Sequence, residues 1–591
     1  LDDQVVPTNR TSSEPVMRAR GAERISDDER VVITFEGRPI DARRGETIAA
    51  ALAAAGELEL RETQSGARRG VFCGMGVCQD CRVVVDGRHG QRACMTRIAG
   101  SVEVNRHPPR APVAADDVGH VGPQRSLPTL RPELLVIGGG AAGLAAAAAA
   151  ARAGIEVVLA DERSAPGGQY YKQLATSPDL PLERFADRQM QRGRDRIRNA
   201  SEAGVTMLAN AEVIAAFPTM SVLVKSVDGM RVVAPRRLIV ATGGYERALT
   251  LPGWTLPGVM TTGALQTLLR NYRVLPGRRI VIAGNGPLNL QVAVEASRAG
   301  ADVLAVAEHA TIKGSQALSA LAGMLGSSPA LTVKGVALRT ELTLRRVPLL
   351  VGTRLRSIRR SDGGLVVELD RGASAPPAHF DTDIVTMSYG ILPSNDVLRL
   401  LGCEFDVDPR WDTLVPVRDG DGMTSLDGIY AVGDCARFAG AHVAEIEGTL
   451  AGLAAARSLG YAADRRLEAR LRRRLARHRR FQQRLWQLYD ALVPASDAVP
   501  PETVICRCEE RTQADMAQAI ADGAAVIGNL KRITRSGMGP CQGRYCGAPA
   551  RALLRGNART SPGEDSSWAA RPPIKPTAIA ELIAGLSRYD A

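Results

Sequence analysis

The sequence predicts a multidomain α/β protein: two nucleotide-binding units in the middle and a small cysteine-bearing unit toward each end. Three observations carry this. A chain of 591 residues is too long for one hydrophobic core. Two strand–glycine-loop–helix patterns occur along it. Eight of its ten cysteines fall into two clusters of four, one on either side of those patterns.

Residues 1–28 are polar and charged without periodicity and read as a disordered tail. Val31–Phe35 alternates as a strand, Glu36-Gly37-Arg38 can turn it, and Thr47–Ala55 reads as a short helix ended by Gly56. Strand, turn, strand and helix before a cysteine loop suit a small β-grasp ferredoxin over 29–105. Six prolines within 106–132 mark a linker. A first nucleotide domain is expected over 133–247 and 386–462, with a second inserted at 248–385. Arg465–Leu492 is basic and amphipathic, with Leu467, Leu471 and Leu475 on one face, within a helical linker over 463–500. A compact cysteine unit follows at 501–552. The tail at 553–591 should be extended, with a short helix at Thr577–Leu586.

The first cluster is Cys73, Cys78, Cys81 and Cys94. Its C-x4-C-x2-C spacing with a later Cys is the plant-type [2Fe–2S] pattern. Gly74 and Gly76 inside the loop leave room for an inorganic core. The second cluster is Cys506, Cys508, Cys541 and Cys546, as C-x-C-x32-C-x4-C. Four thiolates also satisfy structural zinc, so zinc stays a rival at both, more seriously at the second. Thr512 with Asp515 predicts a capping box between the two halves of that set. Cys403 and Cys435 read as small buried hydrophobes.

Gly138, Gly140 and Gly143 follow the strand Leu134–Ile137. They supply a tight turn, close approach of a pyrophosphate and close helix packing, and the helix N-terminus offers free N–H groups to phosphates. Asp161 and Glu162 end the next strand, where a carboxylate binds a ribose; spacing does not choose between them. Three further segments join this motif: Pro166-Gly167-Gly168-Gln169, Ile239-Val240-Ala241-Thr242-Gly243-Gly244, and Gly428 through Gly433-Asp434. Together they resemble the FAD domain of glutathione-reductase-like flavoproteins, in which Asp434 would bond the ribityl chain. The second motif, Gly284-Asn285-Gly286-Pro287-Leu288-Asn289, has Asn289 in place of the third glycine. Glu308 ends the following strand, which suits NAD over NADP. Productive dinucleotide binding, an adenine nucleotide without redox work, and no ligand at all remain open there.

Several classes are excluded or left without support. No C-x-x-C or C-x4-C lies between Gly138 and Asp434, so thiol–disulfide chemistry is not expected. Seven histidines form no ligand cluster, and no nucleic-acid-binding module accompanies the net charge of +12. The Arg-rich composition fits a GC-rich genome. Neither a signal peptide nor a spanning segment is evident, so a cytoplasmic protein is expected, with peripheral attachment to the inner membrane left open.

The segment Pro252–Met260 and the terminal Cys-Arg-Cys-Glu-Glu…Gly-Pro-Cys-Gln-Gly-Arg-Tyr-Cys complete a specific resemblance. Over residues 30–550 the chain is similar to the α subunits of bacterial opine oxidases, hydroxyproline dehydrogenases and hydrogen cyanide synthase. Its terminal unit resembles the bacterioferritin-associated-ferredoxin (BFD-like) type, which usually closes with C-x2-C. In several such systems the ferredoxin is a separate subunit, so it would be fused here. The resemblance implies FAD and two [2Fe–2S] clusters, and a flavin, FMN, at a subunit interface. It also implies an FAD-dependent β subunit of the glycine/D-amino-acid-oxidase type that oxidises a C–N bond. The expected function is an electron-transferring oxidoreductase subunit passing electrons to an acceptor such as a respiratory quinone. Alternatives are a self-contained NADH-dependent reductase and a non-catalytic scaffold with structural zinc.

Overall fold

Alternation in Arg30–Phe35 buries Ile33 and Phe35 and exposes their neighbours, which fixes the first sheet's register. In the computed structural model, which describes residues 18–19, 30–110, 127–174, 187–311, 314–372, 375–490, 499–557 and 567–579, this strand lies in a five-stranded sheet. The order is Arg38–Arg43, Arg30–Phe35, Glu103–Arg106, Arg82–Val85 and Arg88–Arg92. The parallel pairing of Arg30–Phe35 with Glu103–Arg106 makes it a β-grasp sheet. Thr47 caps the wholly buried helix Ile48–Ala54 that fills its concave face.

The first nucleotide domain is a parallel sheet ordered Thr206–Leu208, Val157–Ala160, Leu134–Ile137, Arg237–Val240 and Ile429–Ala431. Burial on both faces explains the unbroken apolar runs of its central strands. The alanine-rich helix Ala141–Arg152 crosses Ala441–Ser458 at backbone contact. A Cβ on Gly448 would lie 2.1 Å from the Ala142 carbonyl, and one on Gly452 2.4 Å from that of Ala146. Small residues are therefore a packing requirement on both helices. The second domain repeats the theme as Val259–Thr261, Ile384–Ser388, Arg279–Gly284, Asp302–Glu308 and Leu349–Val351, again all parallel. The C-terminal unit packs Gln513–Ala521, Ile527–Thr534 and Gly547–Asn557 around Ile505, Met516, Leu530 and Leu553. Thr512 and Asp515 form the expected capping box.

Several boundaries differ from the sequence reading. Arg18 and Ala19, placed in a disordered tail, are ordered. Ala19 is buried against the second nucleotide domain and Arg18 pairs with Glu46. The proline-rich linker begins as strand at Arg106 and ends with Thr129–Leu130 paired to Val232–Val233. The last helix runs past residue 552, and the expected extended tail contributes Trp568 to the C-terminal core and Ile574 to the first nucleotide domain. The rest of residues 1–28 and nearly all of the expected 577–586 helix lie outside the described residues. The basic segment forms one helix, Arg465–Leu488, burying Leu471, Leu475, Phe481 and Trp486.

Candidate redox site

The first glycine loop opens onto a cavity of about 930 Å³. Gly138 takes φ +101°, and a Cβ there would lie 2.5 Å from the Ala241 carbonyl. On Gly143 a Cβ would lie 1.8 Å from the Gly138 carbonyl, so this glycine serves packing and does not line the cavity. At Gly140 the Cβ direction meets only the Gly168 Cα, at 3.8 Å. That side is free for a pyrophosphate, and Ala141–Arg152 begins at Gly140 without a side-chain cap, so its first N–H groups stay available. Gly168, Gln169, Thr242, Gly243 and Asp434 line the same space. Gly433 lies behind the wall and donates its N–H to Glu447 at 3.1 Å.

The two candidate ribose acids are placed differently. Asp161 is buried and spends its carboxylate on its own loop, accepting from Gly139 N at 2.5 Å and Arg163 N at 2.8 Å. Glu162 also lines the cavity and pairs with Lys575. Burial would raise the Glu162 carboxyl, but Lys575, Arg92 and Arg163 pull it down to about 2. Asp434 is pushed up to about 6 by burial, against the N–H groups of Ala439 and Gly440 that it accepts at 3.2 and 3.4 Å. A hydroxyl donor would complete its coordination.

Sequence reasoning missed Lys172 and Glu246, both buried on this cavity. Lys172 Nζ donates to Gly263 O at 3.2 Å and Gln266 Oε1 at 3.0 Å. Glu246 accepts from Gly263 N at 2.8 Å. Burial lowers the Lys172 ammonium and raises the Glu246 carboxyl. No motif marks either residue; only the fold brings them together.

The cysteines meet in pairs. Cys73 contacts Cys78 and Cys81 contacts Cys94; Cys506 contacts Cys546 and Cys508 contacts Cys541. Backbone N–H groups point at sulfur, from Cys78 to Cys73 at 3.3 Å and from Cys94 to Cys81 at 3.5 Å. Two thiolates per pair and two pairs per set fit a two-iron centre, in which each iron takes two protein ligands. Among the described residues no three His, Cys, Asp or Glu side chains converge as on a single ion. Gly74 and Gly76 are also held small by protein neighbours. A Cβ on Gly74 would lie 2.9 Å from the Ala264 Cα, and one on Gly76 2.9 Å from Met95 Cγ. Both take positive φ, +60° and +80°; Gly74 lets the cysteine loop dock on the helix Thr262–Tyr272, and Gly76 lets it close on Arg92 and Met95 within its own unit.

Both cysteine loops also wall the cavity. Met75, Gly76, Val77 and Gln79 come from the first, and Pro540 and Arg544 flank Cys541 in the second. Phe72 meets Tyr545 edge-to-face at 5.2 Å, which seals the join.

The second glycine loop is used otherwise. The Cβ direction of Gly286 meets the Trp486 ring at 3.2 Å, so the indole crowds one side of this loop, while Gly286, Pro287, Leu288 and Glu308 line the same cavity as the first loop. Gly284 could not carry a side chain, since its Cβ would lie 2.0 Å from Ser388 O. Glu308 accepts from Gly286 N and Ala310 N, both at 3.2 Å. Asn289, in place of the third glycine, is buried and bonded. It accepts from Thr262 Oγ1 at 2.9 Å and donates to Ser388 O at 3.2 Å, tying helix to sheet.

Known proteins match along nearly the whole chain. Residues 132–448 fit the pyridine nucleotide-disulphide oxidoreductase model, 28–109 a 2Fe-2S iron-sulfur cluster binding domain, and 502–586 the sarcosine oxidase A3 domain. An opine oxidase subunit of Rhizobium meliloti is 32% identical over 462 residues, covering 76% of this chain and 98% of that protein. Hydrogen cyanide synthase subunit HcnB of Pseudomonas aeruginosa is 31% identical, covering 71% and 91%. The crystal structure of L-proline dehydrogenase from P. horikoshii shares the fold, with a TM-score of 0.67 at 20% identity, covering 96% of this chain and 99% of that one. Among the described residues no helix is long and apolar enough to cross a membrane.

Proposed function

We propose, for a chain that belongs to the pyridine nucleotide-disulphide oxidoreductase family as a flavoprotein oxidoreductase of the opine oxidase type with a [2Fe–2S] domain, that it is the electron-transferring subunit of a heteromeric amino-acid or opine dehydrogenase. The observation that carries this is the cavity wall. A flavin-type glycine loop and both cysteine loops face one space. When bound, FAD takes up electrons in pairs and iron–sulfur centres carry them singly.

The chain's own residues divide the work. Gly138, Gly140 and the N-terminus of Ala141–Arg152 receive the pyrophosphate, Glu162 the adenosine ribose and Asp434 the ribityl hydroxyls. Asp161 holds the glycine loop in shape through Gly139 N. Cys73, Cys78, Cys81 and Cys94 hold one two-iron centre, and Cys506, Cys508, Cys541 and Cys546 a second. A β subunit of the glycine/D-amino-acid-oxidase type oxidises a C–N bond, with FMN at the interface. The two electrons released there leave this chain to an acceptor such as a quinone, which takes them up with two protons. The Trp486 ring set against Gly286 speaks against NADH as the donor.

Purification of the native complex tests the reading. The complex should reduce this chain's flavin when given its amine substrate, and the chain alone should not. Flavin reduction by amines in the isolated chain would overturn it.

A further inference from the structure

The two cysteine loops are joined by a buried ion pair. Asp80 lies between Cys78 and Cys81, and Arg507 lies between Cys506 and Cys508. Arg507 Nε donates to Asp80 Oδ2 at 2.5 Å, with the side chains 4% and 1% exposed. The other carboxylate oxygen accepts from Arg61 at 2.5 Å. The Arg507 guanidinium stacks 3.8 Å from the Phe72 ring centre and 4.6 Å from that of Trp254. It also donates to the Trp254 carbonyl at 2.7 Å. Trp254 in turn donates to Val504 O at 2.6 Å, at the start of the second cysteine loop.

Burying an ion pair costs desolvation that packed apolar residues would avoid, so stability alone does not explain it. What it does supply is register. One guanidinium nitrogen holds the Asp80 carboxylate and another the Trp254 carbonyl, so the group is fixed in one geometry beside a cysteine in each loop.

Resting on the reading that both cysteine sets hold [2Fe–2S] centres, we propose that Asp80 and Arg507 are positioning residues for electron transfer between those centres. They hold the two ligand loops in direct contact, so that one electron leaves one centre and enters the other with no bond made or broken. The route crosses one hydrogen bond, from the Asp80 carboxylate to the Arg507 guanidinium.

The test uses anaerobically purified full-length protein. Iron and labile sulfide are counted first, at about four of each per chain. A wild-type count near two, or zinc bound by Cys506, Cys508, Cys541 and Cys546, would sink the cluster assignment itself whatever the variants do. With both centres loaded, paramagnetic resonance of the fully reduced protein should show mutually broadened, fast-relaxing signals. Asp80→Asn and Arg507→Gln should keep the iron, lose that interaction and slow inter-centre transfer after flash reduction by roughly tenfold or more. If those variants fail to load iron, Arg507→Lys is read instead, because it keeps the charge and loses the planar group that ties Asp80 to the Trp254 carbonyl. Loaded variants with wild-type spin interaction and wild-type transfer rate would overturn the proposal.

Discussion

The indole of Trp486 stands 3.2 Å from the point where a side chain on Gly286 would begin. A residue of the basic helix thus crowds the glycine loop that a second dinucleotide would need. NADH should therefore bleach the flavin slowly and without saturation under anaerobic stopped flow. Trp486→Ala should admit adenine nucleotides, seen as saturable NADH fluorescence changes that the parent protein lacks. The same change should cost about 3–5 kcal/mol of local stability. Rapid, saturable bleaching of the unaltered protein would return the NADH-reductase reading to first place.

Glu308 carries a pH dependence. Burial pushes its carboxyl up to about 8, against the N–H groups of Gly286, Ala310 and His309. A raised carboxyl favours the folded protein most below its unfolded value, about 4.5. That contribution is lost as pH rises through 8. Glu308→Gln keeps an acceptor and removes the charge. Calorimetry should show the variant melting higher than the parent at pH 9 and level with it at pH 5. An equal gap at both pH values would count against a buried carboxylate as the cause.

Gly539 touches the second cysteine set. A Cβ there would lie 2.2 Å from the Cys508 Cβ. Gly539→Ala should halve the iron content, from about four to about two per chain, and leave the signal of the first centre intact. Cys508→Ser should give the same result, and Cys78→Ser the complementary one. Loss of all iron in any of the three would mean that the centres assemble as one unit.

Glycine, proline, hydroxyproline and opines, offered to the isolated chain with an artificial acceptor, should give no turnover. The amine-oxidising residues are assigned to the partner. Activity comparable to that of a purified complex would remove the need for it.

Motifs announced the parts, and only the fold disclosed their assembly. Gly138, Gly140 and the eight spaced cysteines were legible because each answers a local demand of spacing or backbone conformation. Asp161 and Glu162 were not separable, since their difference lies in which one turns back to Gly139. Trp486 is 200 residues from Gly286 in sequence, and helix periodicity marks it only as buried. Lys172 and Glu246 carry no pattern at all. Asp80 and Arg507 did leave a trace, as opposite charges inside two cysteine motifs, but opposite charges are too common to predict a contact. The role of Asn289 was not legible, because its amide finds partners far along the chain, Thr262 on a helix and Ser388 on a strand.

Phe72, Cys73 and Cys78 share a hydrophobic cluster with Tyr245, Trp254 and Tyr545, from both nucleotide domains and the C-terminal unit. A ferredoxin that must diffuse to its reductase is limited by encounter, and encounter between charged proteins slows as ionic strength rises. Here the unit is already seated, so no search precedes the transfer and its effective concentration does not depend on dilution. Internal electron flow should then be first order and insensitive to salt. Only the steps that meet another molecule, at the donor and at the final acceptor, remain open to competition from the surrounding solution.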